Sequence, residues 1–237
     1  MMQKFIDTLD ESSAVKGKSL KDVVTLDPST GYYIFDEATL NSMLGKGLID
    51  EVFKLRNLQQ RKLFLNEEIA EETVCEIIRH ILQFNAEDMD KPAEDRQPIL
   101  LYLVSDGGDV DCGFELIDAI ETSITPVYTI NLGYQYSMGF LIGLAGRKRY
   151  TMPNAKFLLH DGSTCVYNST DKAQDQMKFH ARVEERIKQY ILKHSSLTSR
   201  MYTKKRKSEW YMFAEEAKEL GFTDYIVGVD CTIDDII

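Results

Sequence analysis

The stretch "NLGYQYSMGFLIGLAG", residues 131–146, sets a single serine, Ser137, inside an apolar run punctuated by glycines. Its first half is typical of a strand and its second half of a helix, so Ser137 falls at their junction. One interpretation is a helix cap, because serine side chains accept hydrogen bonds from backbone N–H groups at helix starts. The other is a nucleophile held on a tight turn with backbone N–H groups beside it.

Strand and helix patterns alternate on both sides of this stretch. The segment "ILLYLVS", residues 99–105, is a near-continuous apolar run of the kind that forms a strand buried on both faces. Residues 170–194 predict a long amphipathic helix, with Ala173, Met177, Ile187 and Ile191 among its apolar positions. This alternation predicts an α/β domain with parallel strands and right-handed crossovers. The other predicted elements are strands at 62–66, 126–133, 148–152 and 156–160, a helix with Ile69, Val74, Ile77, Ile78, Ile81 and Leu82 on its apolar face, and a helix ending at Gly221.

The pattern divides the chain into three parts. Residues 1–58 form an N-terminal extension of unknown role, with a turn at 27–31 and a helix predicted over 37–57. Residues 59–228 carry the alternating strands and helices. Residues 229–237 form an acidic tail, which we expect to fray.

Composition excludes several classes of function. The formal net charge is −10, which argues against nucleic acid or an anionic membrane as the main partner. The basic run "KKRK", residues 204–207, is expected to be a solvated face. No apolar run approaches the roughly 20 residues of a membrane span. The four scattered cysteines predict neither a disulfide framework nor a zinc site, and they favour a reducing cytoplasm.

Three features fall at the C-terminal ends of successive predicted strands, where open α/β sheets keep their sites. They are Gly107–Gly108, Ser137 with Met138, and His160. Each also has a structural interpretation: a glycine turn, a helix cap and a packed histidine. A serine and a histidine at neighbouring strand ends nevertheless place an imidazole within reach of a hydroxyl.

Taken in order, these motifs resemble a known family. "LYLVSDGGDV", "YSMGFLIGLAGRKRYTMPNAKFLLH" and "AEEAKELGFTD" are similar to segments of the proteolytic subunit of the Clp protease (ClpP). The resemblance covers roughly residues 60–228. It implies the ClpP/crotonase-like fold, a repeated β-β-α superhelix with a long protruding handle helix.

The resemblance also implies a role for each site residue. Ser137 would be the nucleophile, His160 the general base, and the amides of Gly108 and Met138 the oxyanion hole, while Gly107 and Gly108 would line the peptide. The family's aspartate falls on Glu209, for which a solvated charge beside Trp210 is the competing interpretation. The adjacent Asp161 is less favoured as the acid, since neighbouring strand residues face opposite ways. No metal or cofactor is implied.

The sequence departs from the family at three further places. Asp106 stands where the family has proline, the segment "HDGSTCVYNSTD" lacks the family's His-Gln-Pro and double-glycine features, and the N-terminal extension is long. The last two departures bear on how rings stack and how an ATPase docks. No P-loop pattern occurs in the sequence, so ATP-driven unfolding would fall to a partner.

The function implied is that of a serine endopeptidase acting on unfolded polypeptides. It would work inside a homo-oligomeric ring, expected to be heptameric with stacking left open, and be fed by an AAA+ unfoldase. The main alternative is a catalytically weak or inactive ring subunit with a structural or regulatory role. An acyl-CoA hydratase or isomerase is less favoured, because those enzymes usually use carboxylates where this chain has Ser137 and His160. A membrane-anchored signal-peptide peptidase relative is disfavoured by the lack of an anchor.

Overall fold

The computed structural model describes residues 24–26, 33–35, 53–163 and 165–237. The chain forms two units, Met1–Lys62 and Leu63–Ile237. In the first unit, β1 (Val24–Leu26) pairs antiparallel with β2 (Tyr33–Phe35), and residues 53–59 are helical. The predicted turn at 27–31 and most of the helix predicted over 37–57 lie outside the described residues.

The second unit is built on a seven-stranded sheet with the order β3-β4-β5-β6-β9, and β7 pairs with both β5 and β8. The pairs β4–β5, β5–β6, β5–β7 and β6–β9 are parallel, which confirms the predicted α/β architecture. The strands are β3 (Lys62–Leu65), β4 (Ile99–Ser105), β5 (Val127–Tyr136), β6 (Lys148–Thr151), β7 (Lys156–Leu159), β8 (Trp210–Phe213) and β9 (Tyr225–Ile226).

Strand β5 is the longest and has two successive partners on one side. Its first half pairs with β6, and its last residues, Tyr134–Tyr136, pair with Lys156–Leu158 of β7. The end of β5 therefore lies beside the end of β7. This register is what brings the residue after β5, Ser137, close to the residue after β7, His160.

Strand β8 departs from the parallel pattern, because it runs antiparallel to β7. Leu159, the last residue of β7, lies opposite Trp210, the first residue of β8. The residues just outside this pair, His160 and Glu209, are therefore neighbours across the two strands.

Six helices surround the sheet in the described part of the second unit. The face of α1 that packs inward consists of Val74, Ile77, Ile81 and Phe84. Leu82, predicted to lie on that face, is 60% exposed. The helices are α1 (Glu71–Glu87), α2 (Val110–Thr122), α3 (Met138–Leu144), α4 (Thr170–Lys193), α5 (Ser199–Lys205) and α6 (Ala214–Glu219).

Two helices show opposite extremes of burial. Every residue of α3 is buried, and the side chain of Gln135 packs so closely on Gly143 that a Cβ there would lie 2.2 Å from Gln135 Oε1. In α4 the only buried residue is Ile191, and Met177, another of its predicted apolar positions, is 54% exposed. Helix α4 is therefore amphipathic in sequence but largely uncovered by the residues that the structure describes, as expected of a handle helix.

The C-terminal residues pack against the sheet. Residues Ile233–Ile236 form a 3-10 helix, and Ile236 is only 2% exposed against Tyr102 and Ile130. The Tyr102 hydroxyl donates a hydrogen bond to the carbonyl of Ile236. The expectation that this tail frays is therefore wrong, because its apolar residues find a place on the sheet. None of the described helices has the length and apolar character needed to cross a membrane.

Candidate active site

Ser137 holds an unusual backbone conformation between β5 and α3. Its φ is 53° and its ψ is −120°, a backbone conformation that residues other than glycine rarely adopt. Such strained conformations cluster at functional sites. Its N–H donates to the carbonyl of Leu158 on β7 at 3.1 Å, and its carbonyl accepts from the N–H of Phe140 at 3.1 Å. Its side chain makes no capping hydrogen bond, so the capping interpretation of Ser137 is wrong.

The glycine pair Gly107–Gly108 lies directly against this turn. Gly107 has a φ of 107°, and a Cβ added there would lie 2.8 Å from the Cβ of Ser137. Gly108 has a φ of 148°, and a Cβ there would lie 2.3 Å from the carbonyl oxygen of Ile69. Only glycine allows the backbone to approach both Ser137 and Ile69 this closely.

The hydrogen bonds around Gly108 leave its own N–H available. Ile69 N–H donates to the Gly107 carbonyl at 2.9 Å, and Asp109 N–H donates to the Ile69 carbonyl at 2.8 Å. These two bonds engage the flanking residues rather than Gly108. Among the described residues, the N–H groups of Gly108 and of Met138, the first residue of α3, donate to no protein acceptor. Two donors beside a serine are what an oxyanion would need.

His160 and Glu209 form a close pair at the ends of β7 and β8. The distance between His160 Nδ1 and Glu209 Oε1 is 2.9 Å. The His160 side chain is 27% exposed and that of Glu209 is 58% exposed. With a carboxylate on Nδ1, the proton of a neutral imidazole resides on Nδ1, and Nε2 remains available as an acceptor.

The neighbouring acid, Asp161, is engaged elsewhere. Its carboxylate lies 3.3 Å from Nε of Arg206. Trp210 holds the start of β8 in place, because its buried indole N–H donates to Glu216 Oε1 at 3.1 Å. Glu209 is therefore the carboxylate that contacts His160.

Ser137, Met138 and His160 line one pocket. Its polar end consists of Asp161, Glu184, Tyr202 and Arg206, and burial raises the pKa of the Tyr202 hydroxyl, so that this group is protonated near neutral pH. Its apolar walls come from α3, β7 and α4 and include Phe140, Leu141, Leu158, Ile187 and Ile191. The pocket thus contains a hydroxyl and an imidazole together with mainly apolar walls.

The structure brings together every residue predicted for the site. Gly107 and Gly108 lie against Ser137, His160 shares its pocket, and Glu209 contacts His160. One residue of the site, Arg206, was assigned by sequence to a solvated basic run. Lys204, Lys205 and Lys207 flank it in the same basic run, so no local sequence signal separates Arg206 from them.

Known proteins resemble this chain over most of its length. The family model described as Clp protease matches residues 45–230. Two relatives are named ATP-dependent Clp protease proteolytic subunit 2. The one from Tropheryma whipplei is 32% identical over 72% of this chain and 93% of its own length, and the one from Corynebacterium efficiens is 30% identical over 77% and 89%. A third, the proteolytic subunit 1 of Corynebacterium jeikeium, is 29% identical over 75% and 92%.

The fold and these relatives define the class of protein, which is that of the ClpP-like serine peptidases. More specifically, the chain belongs to the Clp protease family.

Proposed function

We propose that this chain is a serine endopeptidase in which Ser137 is the nucleophile, His160 the general base and Glu209 the acid that orients it. The observation that carries the proposal is the 2.9 Å contact between His160 Nδ1 and Glu209 Oε1, made by a histidine that shares a pocket with Ser137. A serine hydroxyl is a weak nucleophile until a neighbouring base accepts its proton, and that base needs a fixed orientation.

The reaction follows from these positions. His160 Nε2 accepts the proton of Ser137 Oγ as the oxygen attacks the peptide carbonyl, and Glu209 stabilises the imidazolium that forms. The N–H groups of Gly108 and Met138 donate to the oxyanion of the tetrahedral intermediate. His160 then gives its proton to the leaving amine, and an acyl-enzyme remains on Ser137. Water, deprotonated by the same imidazole, releases the acid product.

Gly107 and Gly108, which we call the glycine strip, support binding of an extended polypeptide. Gly107 and Gly108 present backbone without side chains beside Ser137, so a substrate strand can approach closely enough to form main-chain hydrogen bonds. Such bonds are independent of side-chain identity. We therefore assign unfolded polypeptides and peptides as the substrates.

Assembly is the second part of the proposal. The relatives are named as proteolytic subunits of an ATP-dependent protease. We propose that copies of this chain form rings, heptameric by family resemblance, that enclose the sites and receive polypeptides from a separate AAA+ unfoldase in the cytoplasm. The exposed length of α4 supplies surface for contacts between copies. The four cysteines are all free, in keeping with a reducing compartment.

The inactive-subunit alternative is not favoured. Two departures would favour it, Glu209 in place of the family's aspartate and the altered handle segment at 160–171, yet the Glu209 carboxylate lies within hydrogen-bonding distance of the His160 imidazole. The relatives above are named as proteolytic subunits, without a regulatory designation.

The proposal is tested by labelling the assembled protein with a fluorophosphonate and mapping the adduct by mass spectrometry. We expect one adduct, on Ser137, which is absent in Ser137→Ala and strongly reduced in His160→Ala. Ser163→Ala, a substitution in an exposed residue near the site, serves as the matched control and should label as the unmodified protein does. A correctly assembled protein that takes no label would contradict the proposal.

A further inference from the structure

Arg206 joins three elements at the polar end of the pocket. Its Nε lies 3.3 Å from Asp161 Oδ1, in the loop after β7, and its Nη1 lies 3.3 Å from Glu184 Oε2 on α4. Tyr202, in α5, lines the same pocket. We call Arg206, Asp161, Glu184 and Tyr202 the Arg206 cluster.

The main chain of Arg206 reinforces the same contact. The N–H of Asp161 donates to the Arg206 carbonyl at 2.9 Å. Residue 161 is therefore held twice by residue 206, once through the backbone and once through the side chain. Arg206 is itself fixed, because its N–H donates to the Tyr202 carbonyl at 2.9 Å.

The Arg206 cluster lies close to His160 and Glu209. Asp161 follows His160 directly, and Glu209 lies three positions after Arg206. On one side of the His160–Glu209 contact, Leu159 pairs with Trp210 in the β7–β8 ladder. On the other side, Asp161 is bound to Arg206. The histidine is thus held between two connections that join the same two chain segments.

Stability is a poor reason for this arrangement. The side chain of Asp161 is 40% exposed and that of Glu184 is 53% exposed, and ion pairs with such exposed partners contribute little to folding. A planar guanidinium that contacts two carboxylates instead fixes geometry, since its donors have set directions.

We propose that Arg206 is a positioning residue for the peptidase reaction. It holds the loop after β7 so that the imidazole of His160 faces Ser137 while keeping its contact with Glu209. This inference rests on the proposed function and adds a residue to it. Arg206 does not touch the reacting atoms, so its effect passes through His160.

The charges around His160 give the proposal a second consequence. The charged and titratable groups facing the histidine are Glu209 before β8, Asp161 after β7, Glu184 on α4, and Tyr202 and Arg206 at α5. Loss of the guanidinium leaves two carboxylates without their partner beside the pocket. Uncompensated negative charge favours the protonated imidazole, which cannot act as a base.

The test compares Arg206→Gln, Arg206→Lys and a matched control, Arg200→Gln, at an exposed arginine of α5, the helix that ends just before Arg206. Peptide hydrolysis is measured on assembled protein, with active sites counted by fluorophosphonate titration so that misfolded copies do not enter the rate. Arg206→Gln should lower kcat per active site by about 10- to 100-fold with a smaller change in KM, as expected for a displaced base. Arg206→Lys should recover part of the loss, and Arg200→Gln should match the unmodified protein.

The pH profile distinguishes positioning from a general structural role. In Arg206→Gln the acidic limb of kcat should move to higher pH by about half a unit, since only charge near the imidazole shifts it. In the double variant Asp161→Asn with Arg206→Gln, the limb should return toward its original position while kcat stays low.

An unmodified protein that neither labels nor cleaves would overturn the proposed function itself. A labelled, active protein in which Arg206→Gln leaves both kcat and the acidic limb unchanged would overturn only the role of Arg206. An effect on KM alone would also overturn that role.

Discussion

At the scale of single residues, the site depends on a close approach of two backbones. Ser137 has a positive φ, and Gly107 lies so near that a Cβ would come within 2.8 Å of the serine Cβ and 3.0 Å of the Tyr136 carbonyl oxygen. The strained turn and the glycine strip therefore depend on each other. A side chain at position 107 would displace the nucleophile from its base.

Gly107→Ala tests this dependence. The substitution adds a Cβ at a φ of 107°, so we expect fluorophosphonate labelling of Ser137 to slow by roughly 100-fold, the effect expected of a displacement near 1 Å. Gly133→Ala is the matched control, because a Cβ at 133 meets nothing within 4 Å. Equal labelling rates in the two variants would show that the close approach is not needed.

The sequence predicted some residues of this site and did not predict Arg206. Ser137, His160 and the glycine pair could be predicted because each follows a recognisable strand. The partner of His160 could be predicted only by resemblance, since the contact depends on the antiparallel direction of β8, which no local pattern specifies. Arg206 was missed because one arginine among lysines shows its role only through distant partners, Asp161 and Glu184.

At the scale of elements, the N-terminus of α2 links the glycine strip to the helix layer. Asp109 follows Gly108 directly, binds Ile69 through its N–H, and caps α2 by accepting a hydrogen bond from Cys112 N–H at 2.9 Å. That backbone hydrogen bond lowers the pKa of Asp109 below its ordinary value. The cap therefore stabilises the folded state most when the carboxylate is charged.

Asp109→Ala should reduce the free energy of unfolding by about 1 kcal/mol near pH 7. A lowered pKa in the folded state means that the charged cap contributes fully above the unfolded pKa, about 3.9, and that its contribution is lost as pH falls through the folded value. The free energies of unfolding of Asp109→Ala and of the unmodified protein should therefore become more similar as the pH is lowered. The measurement is urea denaturation at neutral and acidic pH and fixed protein concentration.

Asp109→Asn is the control for this prediction. An asparagine side chain also accepts the capping hydrogen bond but does not titrate. Asp109→Asn should therefore lower the free energy of unfolding by less than Asp109→Ala does, and its own loss should not shrink as the pH is lowered. A loss for Asp109→Ala that stays constant down to acidic pH would contradict the charged-cap account.

The predicted elements differ from the observed ones where tertiary structure overrides periodicity. The strands at 62–66, 99–105 and 148–152 are found within a residue or so of their predicted ends. Most apolar positions of α4 do not mark a core, because Ile191 is its one buried residue and the described part of the chain leaves most of the helix uncovered. Periodicity reports which residues share a face and not what, if anything, packs against it.

At the scale of the whole second unit, the catalytic site and the C-terminal residues occupy different parts of the sheet. The ends of β5 and β7 carry the site, while the C-terminal residues cover an apolar area formed by Tyr102, Ile130 and Tyr150. Two features hold those residues in place, the burial of Ile236 and the hydrogen bond from Tyr102 to its carbonyl. The sequence of the tail does not predict this packing, because it is acidic and contains few apolar residues.

Ile236→Ala should lower the free energy of unfolding by about 2–4 kcal/mol, because it removes a side chain that is 2% exposed. Ile233→Ala removes the same atoms from a side chain that is 49% exposed and should change stability by less than about 0.5 kcal/mol. Urea denaturation at matched protein concentration compares the two. Equal and small losses would indicate a frayed tail.

The central claim is that Glu209 completes the catalytic group with His160 and Ser137, and it is tested most directly by kcat/KM for peptide hydrolysis in Glu209→Gln. Glutamine keeps the length of the side chain but removes the charge that stabilises the imidazolium and fixes its tautomer. The account predicts a fall of roughly 100- to 10,000-fold, with Glu209→Asp intermediate because it keeps a carboxylate on a shorter stem. A Glu209→Gln protein that assembles and cleaves at the unmodified rate would contradict the account and leave Glu209 as a solvated charge beside Trp210.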